Sequence, residues 1–351
     1  MTSTPVPEPK SQVIPAAANA RKIAVLAALL LASFFAATRV AEWFAATGAP
    51  PVAGALTWAT AGLLAIFNVV MLLGMAVLAH DAVHRVLFRS AFWNEFWGGL
   101  LSALTLIPFH ANRQFHLTHH AYAHQPGLDP EEAMHRHSFL YAVTVGSLIG
   151  LKEQYRILFA NLRRVQDRRC AVRALKDVAA LGAAATIYFG LLPALGISVA
   201  VTVAPTMLVF PLVFAFRGMS DDYGIPAVAR GAAVREDVVD ADGNTWQADR
   251  ERRQREVSGW VVLTAPWLEW LWSNVNYHEV HHKYPYLSHC YLPQVFAATR
   301  GRHAYLVVPG YWRSLLNLRR REYYSQPHEA APFLDPAEAV GGGSGRATSS
   351  R

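Results

Sequence analysis

Residues 54–79 contain no charged side chain, and neither do residues 178–216. A helix crossing the hydrocarbon layer needs about 20 mostly apolar residues, because each rises 1.5 Å. Residues 54–79 therefore predict one span. Residues 178–216 are too long for one, and PALG at 193–196 divides them, predicting spans over 178–194 and 198–216. A fourth candidate, 23–46, carries Arg39 and Glu42, three apart on a helix and able to pair there or snorkel to the interface. GAPPVAG, 48–54, is a tight turn between the first two spans. The expected fold is an all-α integral membrane protein: four transmembrane helices in two hairpins, interfacial helices and a cytoplasmic histidine-rich cap. Composition agrees, with 53% hydrophobic and 16% charged residues against about 25% charged in soluble domains.

Lys and Arg are excluded from the turns at 47–53 and 193–198. Apart from Arg39 they fall in the N-terminal stretch, in 80–177 and after 216. This positive-inside pattern predicts that both termini and the segments between hairpins are cytoplasmic. The net charge of +7 is spread over these segments rather than gathered on one element, which favours the membrane reading, and nucleic acid is not expected as a partner. Cys170 and Cys290 lie in no CxxC motif, so a disulfide framework is not expected. Residues 1–20 predict a disordered leader, 21–325 the membrane domain and 326–351 a flexible tail. Three shorter apolar stretches, 90–109, 138–151 and 257–272, are expected to lie in the interface or dip in and return. Ala and Arg richness points to a bacterial source, and so to the inner membrane.

If only the four spans cross, every histidine cluster meets on one face. The clusters are HDAVH (His80, His84), HLTHH (His116, His119, His120) and HEVHH (His278, His281, His282). Helical spacings of three and four aim the imidazoles of a cluster at one point. Two HxxHH motifs in one chain are far rarer by chance than one. Eight imidazoles exceed the three or four protein ligands of a zinc site, so two metal ions are implied. Imidazole suits iron, copper, zinc or nickel, and donor type alone does not choose. Such a centre at the mouth of a helical bundle could receive a lipid chain from the bilayer and electrons from a soluble donor.

HxxxH, HxxHH and HxxHH, in this order around two hairpins, resemble the membrane fatty-acid desaturase and hydroxylase superfamily over roughly residues 55–300. PGLDPEE (126–132), SDDYG (220–224), GNT (243–245), WSNVNYH (272–278) and YLP (291–293) resemble smaller elements of that family. The resemblance implies that His80, His84, His116, His119, His120, His278, His281 and His282 bind two iron ions, with O2 as co-substrate and a fatty-acyl or similar chain as substrate. Desaturation is the leading reaction. Hydroxylation of lipids, alkanes or carotenoids and terminal-alkene-forming decarboxylation are the alternatives. Many relatives have a further histidine where this chain has Asp222, so either the carboxylate ligates there or a water intervenes. Asp81, Asp129, Glu131, Asn274, Glu279 and His124 are candidates to support the ligands through hydrogen bonds, with Asn274 also a candidate ligand.

HEVHH also spells the HExxH of zinc proteases, with Glu279 as base, but that reading leaves two clusters idle. His110, His135, His137, His289, His303 and His328 read as surface or packing residues, and Trp260, Trp267, Trp270 and Trp272 as an interfacial belt. With no haem-binding HPGG segment, dinucleotide fingerprint or iron–sulfur cysteine set, a separate electron donor of ferredoxin, rubredoxin or small-cytochrome type is expected. The basic runs 163–169 and 230–235 are candidate docking sites for it.

Overall fold

A computed structural model describes residues 13–47, 50–123, 127–135, 137–222, 258–301, 303, 305–320 and 339–340. Four helices are long and apolar enough to cross a membrane: α1 (Ala16–Thr47), α2 (Pro50–Val83), α7 (Arg168–Thr186, continued to Ala194) and α9 (Val203–Asp222). The chain is an all-α membrane protein. α1 starts at Ala16, so the end of the expected leader is helical. Pro50 and Pro51 open α2, where a missing N–H costs nothing.

α2 is the central helix. It packs against α1, α9 and the helix that follows it, α3 (Ala91–Ala103), and Leu72, Leu73, Leu78 and Val83 are fully buried. Lipid gives no hydrophobic drive between helices, so close packing must hold them together. Gly74 shows how closely the later cap segment also approaches α2: a Cβ there would run into the Leu271 carbonyl. Leu63, Phe189 and Leu208 instead face outward, each more than 70% exposed, as lipid-facing side chains do. Arg39 pairs with Glu42 at 2.8 Å and also donates to the Gly196 carbonyl, tying the outer ends of the two hairpins.

The elements between the spans form the cap. α3 leaves Phe92, Trp93 and Phe96 exposed, an aromatic face suited to the interface. α4 (Phe109–Tyr122) follows. Then come α5 (Phe139–Tyr141), a π-turn over Ala142–Gly146 and α6 (Ser147–Arg163). α7 begins at Arg168, ahead of its apolar stretch, because Asp167 caps its first N–H groups. A second π-turn (Ile187–Leu191) leads to α8 (Leu192–Ala194).

After α9 the described chain resumes with β1 (Trp260–Val262), α10 (Pro266–Leu271), α11 (His278–Lys283), α12 (Leu292–Thr299), β2 (Tyr305–Val308) and α13 (Tyr311–Leu318). β1 pairs parallel with β2, and β2 antiparallel with β3 (Ala339–Val340), so two residues of the expected flexible tail are in strand. Trp260 and Trp272 are buried, Trp272 donating to the Val70 carbonyl on α2, while Trp267 and Trp270 are exposed. The belt therefore reduces to the exposed pair, and the other two anchor the cap to the bundle.

Candidate metal centre

Each histidine cluster is delivered by a short helical segment held by its surroundings. His80 lies on the last turn of α2 and His84, one turn on, immediately follows its last residue. Arg85, at φ 59°, ends the helix, with its N–H on the Ala82 carbonyl. His116, His119 and His120 lie on α4. The first turn of α4 has no cap of its own, and the buried carboxylate of Asp177 on α7 supplies one, accepting from His110 N at 2.8 Å and Ala111 N at 3.0 Å. Sequence reasoning missed Asp177, whose partners are 66 and 67 residues away.

α11 is only six residues long and all are buried. Its entry is fixed by Ser273 and Asn274 at positive φ, by a bridge from Tyr277 to Val261 and by Asn276 donating to the Val262 carbonyl at 2.9 Å. Lys22 of α1 reaches in and donates to Ser273 Oγ at 2.8 Å. His278, His281 and His282 then share one face. Glu279, on the other, accepts from Ser258 N at 2.8 Å and pairs with Lys283 at 2.7 Å. A zinc protease would need this carboxylate beside the metal, and nothing supports that alternative.

The structure brings all eight histidines and Asp222 into two adjoining groups. The first is His80, His84, His116, His120 and His281; the second is His119, His278, His282 and Asp222. Within each, one donor atom per residue lies within 4.8 Å of all the others. In the first, His116 Nε2 is 3.0 Å from His84 Nε2 and 2.9 Å from His120 Nε2, which is 3.1 Å from His281 Nε2. In the second, His278 Nε2 is 2.9 Å from His282 Nε2 and 3.0 Å from Asp222 Oδ1. The rings of His120 and His282 stack at 4.3 Å and join the groups.

These residues fit metal ions. A neutral imidazole has one N–H and one lone pair, and Nε2 atoms crowded at 3 Å cannot all be satisfied by one another. The buried His80 Nε2 has no hydrogen-bond partner among the described residues. A cation taking every lone pair resolves the conflict. Burial, then the mutual repulsion of neighbouring imidazoles, holds His84, His116, His120, His281 and His282 well below the usual histidine range, so they stay neutral, the form that ligates. His119 and His278 differ. Burial lowers both, but Asp129 and Glu131 outweigh it at His119, raising it to about 10, and Asp222 outweighs it at His278.

Asp129 touches a cluster histidine directly, its two oxygens 3.0 and 3.1 Å from His119 Nδ1, and Glu131 stands 3.8 Å from the same atom. Asp81 does not support a cluster imidazole. It pairs at 2.5 Å with Nδ1 of His289, a residue the spacing gave no reason to choose. Asn274 donates to the His289 carbonyl at 3.2 Å, so Asp81 fastens the loop after α11 to α2 and Asn274 fastens it to the segment that enters α11. His124 and the segments 230–235 and 243–245 lie outside the described residues, as do Tyr223 and Gly224 of SDDYG, His328 and the side chain of His135. His110 packs on Phe109, His137 on Tyr141, and His303 lies 2.9 Å from the Tyr284 hydroxyl. Asp221 was missed as well: its Oδ2 lies 3.9 Å from His278 Nδ1 and pairs with Arg217.

One cavity, with room for about 110 Å3, touches both groups. His80 and His116 of the first and His119, His278 and Asp222 of the second line it, beside Leu73, Val77, Phe115 and Phe214. A family model described as fatty acid desaturase matches residues 56–313. A search of curated proteins found no match to the chain.

Proposed function

The chain belongs to the fatty acid desaturase family, and from that premise we propose that it is a membrane-bound, O2-dependent desaturase of a fatty-acyl or similar hydrocarbon chain. Two buried donor groups opening on one partly apolar cavity carry this reading. His80, His84, His116, His120 and His281 would hold one iron, and His119, His278, His282 and Asp222 the other. Bound irons supply the activation of O2 that organic side chains cannot. The balanced reaction is –CH2–CH2– + O2 + 2 electrons + 2 protons → –CH=CH– + 2 H2O.

The rest is the work of the protein. Leu73, Val77, Phe115 and Phe214 seat an apolar chain against both groups and keep water from it. Asp129 accepts from His119 Nδ1–H, which points the Nε2 lone pair inward and makes it a stronger donor. The two electrons come from a separate protein, for which the exposed basic turn Arg163–Arg169 between α6 and α7 offers a docking face. The distribution of Lys and Arg supports a cytoplasmic position for this side of the bundle.

The test is metal analysis of the purified chain together with lipid profiling of an expressing host. About two irons per chain and a new double bond in the lipids are expected. One zinc and no iron would sink the proposal, and a new hydroxyl would move the reaction to hydroxylation.

A further inference from the structure

We propose that the cavity takes its substrate as an unesterified carboxylate anchored by Arg217. This deepens the reading of the site as an oxidising centre and rests on it. The cavity is not built for hydrocarbon alone. Besides Leu73 and Val77 it is lined by Arg217, Gln154, Ser102 and Thr105. The Arg217 side chain is only 11% exposed and its partner Asp221 is 0% exposed. That pair uses Nη2 of the guanidinium. The buried Nε has no hydrogen-bond partner among the described residues.

A desolvated guanidinium N–H without an acceptor is costly. A methyl or methylene group entering the cavity leaves that cost in place. A carboxylate removes it, because its two oxygens match the fork of the guanidinium. A thioester or oxygen ester carries no charge and offers a weaker acceptor, so the cavity should favour the free acid. Placement follows from the helix. Arg217 and Asp222 are five residues apart on α9, about 7.5 Å along the axis. A carboxylate held at Arg217 puts the first few carbons, not the middle of the chain, beside the metal groups.

The experiment uses the full chain in nanodiscs, loaded with metal, and measures binding of dodecanoate, methyl dodecanoate and 1-dodecanol by equilibrium dialysis. Wild type should bind the acid at least about tenfold more tightly than the ester or alcohol, the effect of one charge-assisted hydrogen bond. Arg217→Gln should erase that preference with metal content unchanged, and Arg217→Lys should restore part of it. Because Arg217→Gln strands the buried Asp221, Arg217→Gln/Asp221→Asn is the companion variant. Equal binding of acid and ester by wild type overturns the anchor, whatever the variants do, and so does a preference that survives in folded Arg217→Gln. In turnover, a change confined to mid-chain carbons overturns the placement. Acid preference without any O2-dependent product would leave the anchor standing and refute the oxidase reading instead.

Discussion

The two donor groups share a wall of stacked imidazole, yet they sit in opposite electrostatic surroundings. Among the described residues the first holds five histidines and no carboxylate. Burial and mutual repulsion keep those outside the spanning helix neutral. The second contains Asp222 and is backed by Asp129, Glu131 and Asp221, which favour protonated His119 and His278 when no metal competes. One centre thus pairs a site of neutral donors with a site of anionic character. Protons compete for the ligands of the second already at neutral pH and more so in acid, so as pH falls it should lose its ion first.

Removing one histidine from each group tests that division most severely. His281→Ala and His119→Ala are each expected to abolish turnover, with metal content falling from about two ions per chain to about one. If either variant loses both ions, the groups form one cooperative unit and the contrast between them is false. A smaller effect is expected from Asp129→Asn, which keeps the shape but exchanges the charge against His119. Loss of such a supporting carboxylate costs roughly 10- to 100-fold in metal affinity or activity. Competition dialysis should show the loss in the second group alone; an equal loss in both would break the comparison.

What could be read in advance follows the range of the interactions. Spans and clusters are local: apolar length and three- and four-residue spacing suffice to put His80 with His84 and His116 with His119 and His120. Glu279 was expected to support the ligands, and only the fold shows it turned from them to Ser258 and Lys283. Asp81 could be picked out by its position beside His80, but its partner His289 lies 208 residues on. Arg217 follows the last expected span and Asp221 lies within SDDYG, and only the fold brings them against His278 and the cavity. The pairing of β1 with β2 was equally hidden, since strands of three and four residues carry almost no periodicity.

The mildest prediction concerns Asp177, which serves both groups, because α4 contributes His116 and His120 to one and His119 to the other. Its two oxygens each take a backbone N–H from the start of α4, and it is 1% exposed. Asp177→Ala leaves two buried donors without an acceptor and removes a negative charge from a helix N-terminus. Losing such a cap costs about 1 kcal/mol. Asp177→Asn keeps one oxygen, so it should retain part of that stability. Unfolding in mixed micelles with increasing SDS should rank wild type above Asp177→Asn and Asp177→Ala last. Both groups should loosen together, since the whole helix shifts rather than one ligand. If Asp177→Ala matches wild type, α4 is held by its packing alone. If it weakens only the second group, the two sites are positioned independently even along one helix.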